Sequence, residues 1–446
     1  MTQQSDPNSK STEDTPASEL SPPPVPRKKR KEISVSTQRT IASFVILSII
    51  FFSLVLIREE HIPGSQILQK HSSTLRGEKA LTNLVLSSNS MQKKTLQSVV
   101  DSTTSFHGEA MFMPYKIILG EYINQEEWQT VHEIIETTFW DVHCTFNHFN
   151  KLSEISQINS LVALSPRKLS PECQHLFELA EHLHFLSCGK YDPTINNLRE
   201  AWRIALDKGV LLSELELNEL KDTVGWKHVD VNQQGELCKL HNELKFDFSS
   251  IAKGYAVDIL ANRLKEADFH SFLVEWAGET RVAGRHPSNR SWSVGVHNPV
   301  SAKNEQIALC EIDEGSIATS GHSEQYWIVG DENDTFHSYS HMINPRTLKP
   351  LRIADREILS CTVCAPTCAL ADGLATSGLL FDNLEEALEW SKAVKQEHAD
   401  CDIYFLSRDG TLTSASENFT QKQHGKHKIY YNTLPSTCPK SKYSNR

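Results

Sequence analysis

Residues 245–260 read KFDFSSIAKGYAVDIL, and the fold turns on how that stretch divides. Apolar and polar side chains alternate from Lys245 to Phe248, the period of a strand. Two serines follow, and apolar positions then recur at helical spacing from Ile251. The junction carries an acid, two hydroxyls, a lysine and a glycine, and that density of function at one strand-to-helix turn needs a reason.

Working outward, both periods recur. FLVEWAGETRVAGR (272–285), SWSVGVHNP (291–299) and QIALCEI (306–312) read as strands, and CALADGLATSGLLF (368–381) and LEEALEWSKAV (384–394) as helices. Toward the N-terminus, PYKIILGEY (114–122) reads as a strand, while residues 126–149 and 173–188 read as amphipathic helices. Strands and helices mix without a regular βαβ repeat, so the expected class is α+β rather than doubly wound.

The first 38 residues are rich in Ser, Thr, Pro and charge, and cannot bury enough apolar surface to offset the entropy of ordering. TIASFVILSIIFFSLVLI (40–57) then carries no charge. As a helix it spans about 27 Å, the thickness of a bilayer's hydrocarbon core. A transmembrane helix over 39–58 is expected rather than a cleaved signal peptide, whose apolar run is shorter and ends in a small-residue cleavage site. Arg27, Lys28, Lys29, Arg30, Lys31 and Arg39 precede the run, which places the tail in the cytoplasm and the rest outside. The expected organisation is a tail (1–38), a span (39–58), a linker (59–107), a folded domain (108–425) and a C-terminal tail (426–446).

Charge and cysteines exclude some classes. A net charge of −11 over 446 residues argues against nucleic-acid binding, which needs a basic face. Ten cysteines in so long a chain make no disulfide framework. Cys361, Cys364 and Cys368 lack the second ligand pair of a zinc site and are read as small apolar side chains.

Individually, the polar clusters are ambiguous. Asp372 and Thr376, four apart on a helix, present a carboxylate and a hydroxyl on one face. That pair suits Mg²⁺, and equally an ordinary helix-start acid beside a satisfied hydroxyl. His341, ahead of an Asn-Pro turn, is placed to handle a proton or to cap the turn.

Eight segments in order carry more than any one alone. GEAMFMPYKI, SEISQINS, YDPTINNLREAW, FDFSSIAKGYAVD, LVEWAGETRVAG, IATSGHSEQYW, YSHMINPRTLKP and ALADGLATSG, spread over 108–415, resemble the FAD:protein FMN transferase family known as ApbE. The resemblance implies a T-fold-related mixed sheet with helices. It also implies an Mg²⁺-dependent reaction in which FAD is cleaved, AMP leaves, and FMN is joined through its phosphate to a Thr or Ser hydroxyl of an acceptor protein. On it, Ser250, Asp372 and Thr376 match metal ligands, and His341 is the candidate acid/base. Met111, Phe149, Tyr191, Asp192, Asp247, Lys253 and Ile343 match positions that contact FAD, and Gly254 allows close backbone approach. Acceptors in the family are redox proteins of membranes or of the space outside the cytoplasm, which implies a bacterial inner-membrane enzyme facing the periplasm. The sequence departs from the family at Ala277 and Leu348, where glycine is usual, at Asn344, where the family has Asp, and at His322. The alternatives are an FAD pyrophosphatase and a flavin-binding protein without turnover.

Overall fold

The computed structural model describes residues 103–299, 306–322, 325–331 and 335–415, together with the backbone of 427–431. The expected span over 39–58 and its flanks lie outside the described residues. Among the described residues, no helix is long and apolar enough to cross a membrane.

Eight strands form one antiparallel sheet in the order β1 (Thr104–Ala110), β2 (Met113–Leu119), β6 (Phe272–Trp276), β7 (Glu279–Ala283), β10 (Gly315–Gly321), β14 (Ile358–Ala365), β15 (Asp402–Ser407) and β16 (Leu412–Ser414). Two smaller sheets flank it: β11 (Tyr326–Gly330), β12 (Phe336–Asn344) and β13 (Lys349–Arg352), and β8 (Trp292–His297), β9 (Gln306–Ile312) and β17 (His427–Tyr431). A third joins β3 (Arg167–Lys168), β4 (Val229–Val231) and β5 (Glu236–Lys239). The helices are α1 (Gln125–Thr145), α2 (Glu154–Asn159), α3 (Pro171–Leu186), α4 (Asn196–Asp207), α5 (Glu214–Lys221), α6 (Ala252–Glu266), α7 (Cys368–Leu379) and α8 (Leu384–Glu397).

The central strands are buried on both faces, and their two side-chain sets enter different cores. Phe272, Val274, Cys361, Val363, Ile403 and Phe405 join the core under the helices. Leu273, Cys364, Tyr404 and Leu406 face the other way, against Trp292, Ile307 and Cys310 of the β8–β9 pair. Period-2 alternation thus appears here as two apolar faces, which is why these strands read as continuous apolar runs.

Two expectations are corrected. Residues 245–248 do not form a strand: Lys245 makes one isolated bridge to Ile195. Beyond it the extended backbone is satisfied otherwise. Phe246 donates its N–H to Asn159 Oδ1 at 2.7 Å, Asn159 Nδ2 donates to the Phe246 carbonyl at 2.9 Å, and Asp247 N–H donates to the Pro193 carbonyl at 2.8 Å. With these partners the segment needs no neighbouring strand. At the other end, His427–Tyr431, inside the expected tail, pairs antiparallel with β9. The sheet also begins at Thr104, a few residues ahead of the expected domain start.

Both departures from glycine fall on left-handed backbone, Ala277 at φ 56° in the two-residue β6–β7 turn and Leu348 at φ 60° ahead of β13. An L-residue there costs roughly 1 kcal/mol. The β1–β2 turn likewise holds Met111 at φ 48° and Phe112 at φ 62°, the double positive φ that a type I′ hairpin demands.

Candidate active site

The helix pair α6–α7 organises the site, and the opening stretch supplies most of its joints. Gly254 permits the approach: a Cβ there would lie 2.3 Å from the Cys368 carbonyl oxygen. Asp258 accepts the N–H groups of Cys368 and Ala369, both at 2.9 Å, and so caps α7 from another helix. Its charge is met by Arg281 of β7.

Asp372, on the first turns of α7, is almost fully buried and turns toward α6. The Lys253 ammonium lies 3.2 Å from each of its carboxylate oxygens, and Gly254 N–H donates to Oδ2 at 3.1 Å. Lys253 also pairs with Glu279 Oε1 at 2.9 Å. Burial pushes both carboxyls above the ordinary range, against the pull of Lys253. Burial opposes the Lys253 charge, but the two carboxylates outweigh it and hold the ammonium protonated well above its usual range. Glu279 Oε2 is buried and, among the described residues, accepts no hydrogen bond.

Over this base opens a cleft of about 860 Å³, the solvent at its mouth included. Tyr191, Asp192, Asp247, Ser250, Lys253, His341, Ile343 and Thr376 all line it, so eight of the residues singled out in the sequence converge. Ser250 Oγ donates to the Tyr191 hydroxyl at 3.0 Å. Thr376 Oγ1 lies 3.3 Å from Ser320 Oγ at the end of β10. Asp372 lies behind the wall, in contact with the cleft through Lys253.

Two of the lining acids are already committed. Asp192 accepts from the Thr194 hydroxyl and N–H and from Trp226 N–H, and so braces its own loop. Asp247 meets Arg199 Nε at 2.7 Å and accepts from Ser249 N–H at 2.9 Å. Burial raises its carboxyl, but Arg199, His148 and the Ser249 amide together hold it well below the usual carboxylate range.

His341 is aimed by a bulge. Between the pairs Tyr339–Arg352 and Ile343–Pro350, β12 advances four residues while β13 advances two. The Gln325 carbonyl then accepts both the His341 backbone N–H and Nδ1–H, each at 3.1 Å. A carbonyl only accepts, so the neutral ring carries its proton on Nδ1 and keeps a lone pair on Nε2. Burial is the main cause that lowers its basicity below the ordinary imidazole range.

Met111 and Phe149 are not among the residues lining this cleft. Met111 occupies the β1–β2 turn against the helix-side core. Phe149 is exposed and packs on His148, ring centroids 4.0 Å apart, one side chain removed from Asp247. Sequence reasoning missed Glu279 and Arg199. An acid directly after a tight turn, at the start of a strand, was the available signal for Glu279.

The sequence model of the ApbE family matches residues 111–403. The chain belongs to the ApbE family. It is 34% identical over 293 residues to the FAD:protein FMN transferase of Chlamydia trachomatis, covering 65% of this chain and 88% of that one. It is 28% identical over 291 residues to the protein of the same name from Vibrio cholerae, covering 64% and 83%. The solved flavin transferase ApbE of Vibrio cholerae superposes with a TM-score of 0.59 at 25% identity, over 70% of this chain and 97% of that one. The apo flavinyl transferase ApbE of Pseudomonas stutzeri, at 24% identity and a TM-score of 0.60 over 70% and 95%, shares the fold. This ApbE-family chain thus has the α+β fold of those structures, with an antiparallel main sheet in place of the expected mixed one.

The donor set fits a hard cation. Among the described residues, Asp372 Oδ1 has one hydrogen-bond partner and keeps a lone pair, Thr376 and Ser250 offer hydroxyls, and the buried Glu279 Oε2 is a further oxygen acceptor.

Proposed function

We propose that this chain is an FAD:protein FMN transferase. The observation that carries the proposal is the convergence, in one cleft, of a lone pair on a neutral histidine with the acid and hydroxyl set beside Lys253. The names of its relatives support the substrate and reaction.

The chemistry is a phosphoryl-type transfer. The acceptor's Thr or Ser oxygen attacks the FMN phosphorus, its proton passes to His341 Nε2, the pyrophosphate P–O bond breaks, and AMP leaves. Asp372, Thr376 and Ser250 would hold Mg²⁺, which when bound spreads the charge that develops on the pyrophosphate. Arg199 and Lys253, already ion-paired, keep the cleft's anionic groups fixed as the dinucleotide binds. Tyr191 and Ile343 offer apolar surface to its rings.

Product analysis distinguishes transfer from hydrolysis. With FAD, Mg²⁺ and an acceptor protein bearing an exposed Thr, AMP should appear in equal amount to FMN on the acceptor, and His341→Gln should slow this at least about 100-fold. FMN and AMP free in solution, with a bare acceptor, would make the protein a pyrophosphatase.

The charge-free run over 39–58 and the basic residues before it support placement in a bacterial inner membrane, with the catalytic domain in the periplasm and an exported or membrane-bound redox protein as acceptor. Tethering would raise the local concentration of such an acceptor. A reporter active only outside the cytoplasm, fused after residue 446, should be active; inactivity there, with activity of a cytoplasmic reporter, overturns the placement.

A further inference from the structure

Outside the residues lining the cleft, two histidines and a glutamate converge between two helices. His182 stands on α3, Glu397 is the last residue of α8, and His398 caps that helix by donating its N–H to the Val394 carbonyl at 2.7 Å. His182 Nε2 lies 2.8 Å from His398 Nε2 and 3.6 Å from Glu397 Oε1, and all three ligand atoms fall within 4.8 Å of one another. Among the described residues, no other trio of His, Cys, Asp and Glu meets that condition.

We propose that this trio is a site for a divalent transition metal of the zinc class. Two imidazole nitrogens and a carboxylate are the donors such ions favour, with a fourth position left for water. Tetrahedral bonds of about 2.1 Å set ligand atoms about 3.4 Å apart. The first two separations lie within about 0.6 Å of that value, so a side-chain adjustment would complete the site. The His182 side chain is 35% exposed and that of Glu397 53%, which gives an ion an entry path.

The positions also give the metal something to hold. Helices α3 and α8 also meet where Trp390 Nε1 donates to the Leu186 carbonyl at 3.0 Å. A bound ion would tie the last turn of α3 to the end of α8. The chain leaving α3 reaches Tyr191 and Asp192 of the cleft within a few residues. The site is separate from Asp372, Thr376 and Ser250, and stands or falls independently of the transferase reaction.

The test is titration of the metal-stripped full-length protein with Zn²⁺, in excess Mg²⁺, against a chromogenic zinc chelator. Wild type should hold one equivalent that His182→Ala/His398→Ala loses, and Glu397→Gln should weaken binding about tenfold or more. Equal zinc stoichiometry and affinity in wild type and the double variant, or no zinc held by wild type, overturns the site. Co²⁺ added to wild type gives a second readout that needs no variant to fold. Visible d–d bands of a tetrahedral nitrogen–oxygen site are expected, and their absence overturns the proposal. The simple imidazole–imidazole hydrogen bond would then be all the pair does.

Discussion

Lys253 holds two carboxylates with one ammonium, leaving its cluster with Asp372 and Glu279 one negative charge in excess of neutral. A cleft that receives an anionic dinucleotide keeps such an excess charge when a cation accompanies the ligand. Half of this was legible: Lys253 and Asp372 were found through the ordered motifs, whereas Glu279 depends on a β6–β7 hairpin that folds its acid back onto α6. His322 is a second residue whose role appears only in the fold. Burial, then Arg356 and His341, push its imidazole down to about 3. An unfolded imidazole titrates near 6.5. The unfolded chain therefore binds the extra proton, so this contribution to stability is complete above about pH 6.5 and is lost as the pH falls toward the folded value. Between pH 6 and pH 4, wild type should lose about 1.4 kcal/mol more per pH unit than His322→Gln. Chemical denaturation at several pH values measures this, and parallel stability curves for the two proteins would refute it.

At the scale of elements, the α6–α7 pair is the frame. Helix α7 has no side-chain cap of its own, since Thr367 makes none, and Asp258 supplies both capping acceptors from α6. The sequence shows α7 clearly, but not that its N-terminus depends on an acid 110 residues earlier. Asp258→Asn removes the charge that faces Arg281 and keeps only one acceptor oxygen. It should destabilise the protein by about 3 kcal/mol, the cost of leaving one buried charge without its partner. It should weaken Mg²⁺ dependence as well, because Asp372 and Thr376 ride on the helix it seats. Urea denaturation reads the first effect and Mg²⁺ titration of activity the second. A variant as stable as wild type would show that the cap is dispensable. The segment 245–248 teaches the complementary lesson. Its alternation is that of a strand, yet Asn159 and Pro193 satisfy its backbone, and neither partner is visible from local period.

Across the whole molecule, the cleft gathers side chains from stretches near 191, 199, 247, 279, 320, 341 and 376. The α+β class and most elements followed from apolar periodicity, because burial of one face leaves that mark locally. The site was legible only as motifs in order, since its assembly requires β10 to lie between β7 and β14, and the bulge in β12 that aims His341 has no local signal. The strand His427–Tyr431 escaped for the same reason: its partner, β9, lies more than a hundred residues away. On the proposed function, this assembled cleft moves FMN from FAD to a protein hydroxyl. In-gel flavin fluorescence of a denatured acceptor protein, after incubation with FAD, Mg²⁺ and either wild type or Asp372→Ala, reports that transfer. A fluorescent acceptor band is expected with wild type and none with the variant. Bands of equal intensity would remove Asp372 from the chemistry, and a dark acceptor beside intact FAD in the wild-type reaction would contradict the transferase itself.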